Sequence, residues 1–337
     1  QVRFYLVGDK SLGQLYDLQH TGRCALKLLI DSLKRNMMII DSPEDADFYI
    51  HPLTQEQNLM VAFKECTKYD RYLHRTVLGV NVQDGGWFYK NENSTFRNLF
   101  YKNLQNATLL SYYGLKKGSK SICFKREYVC EGNFRRRRDI IVPGPNSCND
   151  DSETYRERIY LPDRLPNKRT TLLYFAGMVK AKISPSAQYG KAASLRLRFF
   201  NFCKNRRGLC KNVELGRKSG SLQNDIKSLR SSIFCLNAPG KYGGYAVRIT
   251  RLIMNGCIPV NILDAEIPFR DFLPYENFSL NFPARYSIHK ILEELRSKTE
   301  KEISQLQNGL RENYNFFSWN GEALSALIGI LLKQRCS

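Results

Sequence analysis

One stretch restricts the fold more than any other. From Ser232 to Val260 the chain reads SIFCLNAPGKYGGYAVRITRLIMNGCIPV. Ile233 to Leu236 is a short apolar run of strand-favouring residues, and Ala238-Pro239-Gly240 ends it with turn chemistry. Gly240, Gly243 and Gly244 supply backbone that a ligand can approach closely or that can take positive φ. From Tyr245 onward, Ala246, Ile249, Leu252 and Ile253 recur at three- and four-residue spacing, the pattern of one helix face. Gly256 to Val260 returns to a buried strand. Strand, glycine-rich loop, helix and strand make a βαβ unit, which needs a parallel sheet and offers backbone N–H groups and a helix N-terminus to phosphates. Arg248 lies in the first turns of that helix, where a guanidinium can donate in two prongs to phosphate oxygens. The same residues also suit an ordinary βαβ unit with a surface arginine, because a lone glycine loop is a weak signal.

The rest of the chain alternates in the same way. Val2 to Val7 is predicted as a strand, Gly22 to Met37 as an amphipathic helix, Phe48 to His51 as a strand, Asn58 to Tyr69 as a helix and Thr76 to Val80 as a strand ending near Asp84-Gly85-Gly86. Thr108 to Ser111 and Ile140 to Val142 continue the series. Residues 144–169 then change character, with Pro145, Pro162 and Pro166 among Asn and Asp, and read as a linker. A second series begins at Thr171 with a strand through Leu172 to Phe175, a helix from Ser194 to Cys203, and the 232–260 unit. Helices over Ser287 to Glu312, with Ser287 as N-cap, and over Gly321 to Lys333 follow. Such alternation predicts doubly wound α/β sheets whose ligands gather at the carboxyl ends of the strands. A length of 337 residues suits two domains of about 150 each. We place them at 1–150 and 171–310, with a linker at 151–170 and a last helical segment at 311–337.

Nothing in the chain is an apolar run of about 18 residues, so nothing reads as a membrane span. Gln1 in place of Met is compatible with a trimmed or processed product. Ten cysteines and N-x-Ser/Thr sequons at Asn93, Asn106 and Asn277 suit the secretory pathway. Cys123/Cys130 and Cys203/Cys210 are spaced to close local loops as disulfides, Cys123–Cys130 being the preferred pair, against free thiols in a reducing compartment. Cys235 and Cys257 sit inside buried strand patterns, where small apolar packing is their expected task. The four histidines are scattered and no Cys/His spacing fits zinc, so no structural metal is expected.

Several segments together resemble the exostosin family, glycosyltransferase family 47. They are Phe234-Cys235-Leu236, Arg248, Gly256-Cys257-Ile258-Pro259-Val260, Asp264 and Ile267-Pro268-Phe269. Weaker matches run in order along the chain: Ala46 to Tyr49, Gln83-Asp84-Gly85, Leu109 to Gly114, Asp139 to Pro143, Leu172 to Gly177, Ser194 to Arg196 and Phe316 to Trp319. The resemblance covers nearly the whole chain. It implies a GT-B fold, two Rossmann-like domains facing a cleft, with the last helix returning to the first domain. It also implies an inverting transfer of a sugar from a nucleotide-sugar donor, most often a UDP-sugar, to a hydroxyl of a glycan or polysaccharide. No cofactor or metal is expected, the leaving-group charge being met by protein cations. The family setting is the Golgi lumen as a type II membrane protein, whose anchor would lie outside this chain. A complex with another glycosyltransferase is in keeping with the resemblance.

The donor-binding set carried over is Gly177, Arg196, Gly240, Gly243, Gly244, Tyr245, Arg248, Arg251 and Asp264. Phe175-Ala176-Gly177, followed by Lys180 and Lys182, is a second candidate phosphate or acceptor contact, against plain solvated lysines on a loop. Arg251 is a departure. Many members have a Glu there, expected to meet the donor ribose, and a guanidinium cannot accept the hydrogen bonds that a carboxylate would. Either donor binding is rebuilt or activity is altered. Asp84, at a strand end before two glycines, is the candidate general base, against a plain turn-forming Asp-Gly. Asp45-Ala46-Asp47 has the spacing of a metal motif but precedes a strand directly and is rejected as a metal site.

The net charge of +20 is concentrated at Arg135 to Arg138, Lys116/Lys117/Lys120 and Lys204/Arg206/Arg207/Lys211. Such patches attract polyanions, so the glycan acceptor is possible as an anionic one. No nucleic-acid-binding signature is visible, and nucleic acid is not expected as a partner. The alternative reading is a catalytically altered glycan-binding protein of exostosin type, marked by Arg251.

Overall fold

The computed structural model describes residues 2–6, 21–53, 76–81, 108–111, 120–122, 129–131, 137–144, 169–177, 190–204, 209–214, 222–238, 248–262, 266–283 and 286–336. Apolar runs become the strands of two parallel sheets. In the first, β1 (Phe4–Leu6), β2 (Ile39–Ile40), β3 (Phe48–Leu53), β4 (Thr76–Asn81), β5 (Thr108–Ser111) and β8 (Ile140–Ile141) lie in the order β2-β1-β3-β4-β5-β8. Helix α1 (Thr21–Arg35) connects β1 to β2. Its residues Leu28, Leu29, Ile30 and Leu33 are buried with Phe4 and Phe48, whose rings stack 5.4 Å apart. A separate ribbon pairs β6 (Lys120–Ile122) and β7 (Val129–Glu131) antiparallel. The expected partner of Cys130, Cys123, lies outside the described residues, as does the helix expected over Asn58 to Tyr69.

The second sheet contains β9 (Thr171–Gly177), β10 (Cys210–Glu214), β11 (Ser232–Asn237), β12 (Ile258–Asn261) and β13 (Leu280–Asn281), in the order β10-β9-β11-β12-β13. Helix α2 (Gly190–Cys203) links β9 to β10, α3 (Leu222–Arg230) links β10 to β11, and α4 (Arg248–Met254) links β11 to β12. Gly256, at φ 65°, ends α4, with Cys257 N–H reaching back to Leu252 C=O at 3.0 Å. Arg169 fastens the start of β9 to its neighbours, donating to Ser232 C=O and, at 2.7 Å, to Gly256 C=O. In each sheet the strand order reverses once, between β1 and β3 and between β9 and β11, and such a point leaves a crevice at the strand carboxyl ends.

The helix predicted over Ser287 to Glu312 is two helices, α5 (Ile288–Arg296) and α6 (Glu300–Asn313). Ser287 does cap the first, accepting from Lys290 N–H at 3.1 Å. The break comes from a second cap. Thr299 and Glu302 form a reciprocal capping box that starts a new helix. Apolar periodicity continues across the break, with Ile288, Ile291, Leu292 and Leu295 buried before it and Leu306 and Leu310 after it. That continuity made one helix the natural sequence reading. Gly309 lies against Asn277, whose carbonyl oxygen would be 2.2 Å from a Cβ there.

The C-terminal segment returns to the first sheet, in keeping with a GT-B type α/β fold. Trp319 Nε1–H donates to Pro143 C=O at 3.3 Å, and Arg35 donates to Asn320 Oδ1 at 2.8 Å. From α7 (Ala323–Cys336), Gln334 donates to Arg138 C=O and Arg335 pairs with Asp47. One apolar cluster consequently runs from Phe4 and Ile141 through Phe269, Trp319 and Leu327 to Phe175 and Leu236.

Two disulfides are present among the described residues. Cys203–Cys210 closes the turn from α2 to β10, as its spacing predicts. Cys235–Cys257 corrects the expectation that these two serve as separate apolar fillers. Cys235 opposes Pro259 in register, and Cys257 lies two residues earlier, so the two sulfurs meet diagonally on one sheet face. Their Cα atoms are 5.8 Å apart, within bonding reach.

Candidate active site

The reversal between β9 and β11 assembles the most unusual cluster among the described residues. Phe175 lies near the carboxyl end of β9, packed edge-on against Phe199 of α2 at 5.8 Å. One turn earlier on α2, Arg196 sets its guanidinium carbon 5.8 Å from the Phe175 ring centroid. Arg248, the first described residue of α4, sets its own at 4.8 Å from the same ring. The ring thus carries two cations through its face, an attraction that offsets part of their desolvation. Arg196 also donates to Ala238 C=O, just past β11, at 3.4 Å.

Gly177 is needed for this geometry. A Cβ at that position would lie 2.7 Å from Arg248 Nη2 and 2.7 Å from Phe175 Cζ. The Nη1 end of Arg248 is buried and meets no hydrogen-bond acceptor among the described residues. Burial, followed by the repulsion of Arg196, lowers the Arg248 pKa from 12.5 to about 9. It remains a cation at neutral pH. A buried cation lacking an acceptor is destabilising on its own, and an anionic ligand would satisfy it.

Arg251, one turn along α4, is treated differently. It pairs with the carboxylate of Asp225 on α3, while the Tyr174 hydroxyl donates to the other carboxylate oxygen. Asp225 is only 5% exposed. Burial and the adjacent Asp225 charge push the Tyr174 phenol well above its usual range, so it stays a neutral donor. Arg251 thus has Asp225 as its ion-pair partner, whereas Arg248 forms no ion pair among the described residues and feels the Asp225 charge only as a smaller influence than its burial and Arg196.

The structure therefore brings together Gly177, Arg196, Arg248 and Arg251 of the predicted set. Gly240, Gly243, Gly244, Tyr245 and Asp264 lie outside the described residues, as do Lys180, Lys182 and the candidate base Asp84. Asp84 follows β4 by three residues, β4 ending at Asn81. Phe175 was singled out only within the Phe175-Ala176-Gly177 strand end, and Tyr174 and Asp225 were not singled out by sequence. Only the acid was hinted at, since Arg251 inside a buried helix face calls for a carboxylate and Asp225 is the acid of α3. Asp45 and Asp47 flank Arg3 at 3.9 and 3.8 Å. Among the described residues no group of three or more His, Cys, Asp or Glu is placed to hold a metal ion, and no helix is long and apolar enough to cross a membrane.

No curated protein sequence matches this chain. Among solved structures, it is similar to the GtfA/B complex, at 10% identity over 82% of this chain and 61% of that one, with a TM-score of 0.38. It is similar also to TarM, at 11% identity over 92% and 58%, with a TM-score of 0.45. Sucrose-phosphate synthase from Thermosynechococcus elongatus is similar at 11% identity over 96% and 79%, with a TM-score of 0.38. The chain spans less than two thirds of the length of the first two, 61% and 58%. The model of the exostosin GT47 domain matches residues 17–295, which include β9, β11, Gly177 and all three arginines of the cluster, and the chain belongs to that family.

Proposed function

We propose that this chain transfers a sugar from a nucleoside diphosphate sugar, a UDP-sugar, to a hydroxyl of a glycan with inversion. The observation that carries the reading is Arg248, stacked with Arg196 on Phe175 beside Gly177, its buried Nη1 without an acceptor among the described residues. A diphosphate supplies the missing acceptors and the negative charge. In the reaction the acceptor oxygen attacks the anomeric carbon, the bond from that carbon to the diphosphate oxygen breaks, and the hydroxyl proton passes to a base, for which we propose Asp84. Arg196 and Arg248 stabilise the charge that grows on the leaving diphosphate, so the step needs no metal ion. The Asp225–Arg251 pair supports a donor site rebuilt around a neutralised arginine rather than a ribose-binding carboxylate.

The remaining proposals follow the charge and the cysteines. The +20 balance favours an anionic glycan acceptor, and the lack of a helix-turn-helix, zinc-finger or RNA-binding strand signature in the sequence argues against nucleic acid. Two disulfides favour folding in an oxidising compartment, which we take to be the Golgi lumen. The test is the thermal midpoint of the purified chain with UDP, GDP, CMP and ADP, because a ligand of the native state must raise it. A selective rise with UDP supports the proposal. No rise with any nucleotide, together with a rise on adding heparin-like oligosaccharide, would replace it with a glycan-binding role.

A further inference from the structure

Three asparagines stand abreast at the carboxyl ends of β11, β12 and β13. Asn237 opposes Asn261 in register and Asn261 opposes Asn281. Asn237 Nδ2 donates to Asn261 Oδ1 at 2.9 Å, and Asn261 Nδ2 donates to Asn281 Oδ1 at 3.0 Å. The Asn281 end of this ladder is exposed to water. The other end is not. Asn237 is 0% exposed and its Oδ1 has no hydrogen-bond partner among the described residues.

A buried amide oxygen left without a donor is destabilising, and native structures rarely keep one without a use. A leucine would fill similar space with no such penalty. The location gives the use. The carbonyl of the next residue, Ala238, accepts from Arg196, which places Asn237, at the end of β11, one residue from a contact of the cationic cluster. A phosphate only accepts and cannot satisfy Oδ1. A hydroxyl donates and accepts, and it satisfies this end of the ladder whichever way the amides are turned.

We infer that Asn237 is a specificity-determining residue of the donor site, hydrogen-bonded through its side-chain amide to a sugar hydroxyl of the nucleotide sugar. Asn261 and Asn281 are positioning residues that hold the plane of that amide. The inference rests on the donor reading given above. The hydroxyl belongs either to the ribose or to the transferred sugar, and binding separates the two sources.

The experiment is calorimetric titration of the chain with UDP, 2′-deoxy-UDP, 3′-deoxy-UDP, UDP-glucose, UDP-galactose, UDP-N-acetylglucosamine and UDP-glucuronate. The proteins are wild type, Asn237→Leu, Asn237→Leu/Asn261→Leu and Arg248→Gln. The double variant is included because Asn237→Leu alone strips Asn261 Oδ1 of its donor. Loss of a hydrogen bond to a buried amide should weaken binding by about tenfold. If the ribose is the partner, both asparagine variants lose that affinity for UDP, and a deoxy analogue binds wild type as weakly. If the transferred sugar is the partner, UDP is unaffected and only a UDP-sugar loses affinity. In either case the unliganded thermal midpoint of the double variant does not fall. Affinities of both asparagine variants within about twofold of wild type for every ligand, with Arg248→Gln binding about tenfold more weakly, would overturn the inference and leave the donor reading intact. A buried water in place of the hydroxyl gives that same pattern. Failure of wild type to bind any of these ligands overturns both.

Discussion

Replacing Arg251 by methionine tests whether the arginine serves the fold or the ligand. Asp225 is 5% exposed on its side chain and Arg251 24%, so the carboxylate, not the guanidinium, is the group that cannot turn to water. Breaking a buried pair by removing one partner costs about 3–5 kcal/mol because the other charge is left uncompensated. Here Tyr174 still donates to Asp225, which places the expected loss near the lower end, about 3 kcal/mol. Asp225→Asn keeps the tyrosine contact and frees a partly exposed cation, so about 1–2 kcal/mol is expected. The assay is urea unfolding of wild type, both single variants and the double variant, followed by two probes to check that one transition is being measured. Coupling of about 2 kcal/mol between the two sites is expected for groups in direct contact. Arg251→Glu, which restores the family carboxylate, should lower stability further by setting two acids together, and should not improve UDP binding. The reasoning fails if Arg251→Met shifts stability by less than about 0.5 kcal/mol with coupling near zero, or if Arg251→Glu binds UDP more tightly than wild type.

Gly177→Ala should displace Arg248 from Phe175, since the new methyl would stand 2.7 Å from Nη2. Calorimetry should show UDP affinity falling about tenfold, consistent with overpacking of about 1–3 kcal/mol. The Arg248 pKa of about 9 sets a pH dependence. An anion prefers the protonated cation, so UDP affinity should hold below that pH and decline as pH rises through it. The ratio of wild type to Arg248→Gln affinity removes the titration of uracil itself, and a ratio constant to pH 10 would refute the assignment. Glu302 is held at about 2, from 4.5, first by the Lys298 hydrogen bond and then by Thr299. Its contribution to stability is present above 4.5 and lost as pH falls towards 2; in Glu302→Gln the acid-unfolding curve should lose that component. Asn277 is exposed within its sequon, so a chain expressed through a secretory pathway should carry an N-glycan there, read as a mass shift removed by Asn277→Gln.

Much of the framework was legible from local chemistry. The apolar runs at Phe48, Thr76, Thr108, Leu172 and Ile233 became strands, and Ser287 became a cap, because apolar continuity and capping act over a few residues. Reading Ser287 to Glu312 as one helix failed for the complementary reason: the apolar stripe crosses the break, and only the Thr299–Glu302 box interrupts the backbone. Of the cluster, Gly177, Arg196 and Arg248 were singled out through motif and residue type, but the part of Phe175 as their common platform was not. An aromatic in a strand looks like core filling whether or not cations rest on it.

What the sequence determined by itself is the alternation that commits the chain to parallel α/β sheets, together with the supply of cations beside glycine-rich turns. Tertiary structure decided the pairings. Sheet register set Cys235 against Cys257 and aligned Asn237, Asn261 and Asn281. The approach of α3 to α4 gave Arg251 an acid and left Arg248 Nη1 without an acceptor among the described residues. Charge, redox state and hydrogen-bond satisfaction depend on which groups are desolvated together, and that is settled by contacts between elements far apart in the chain.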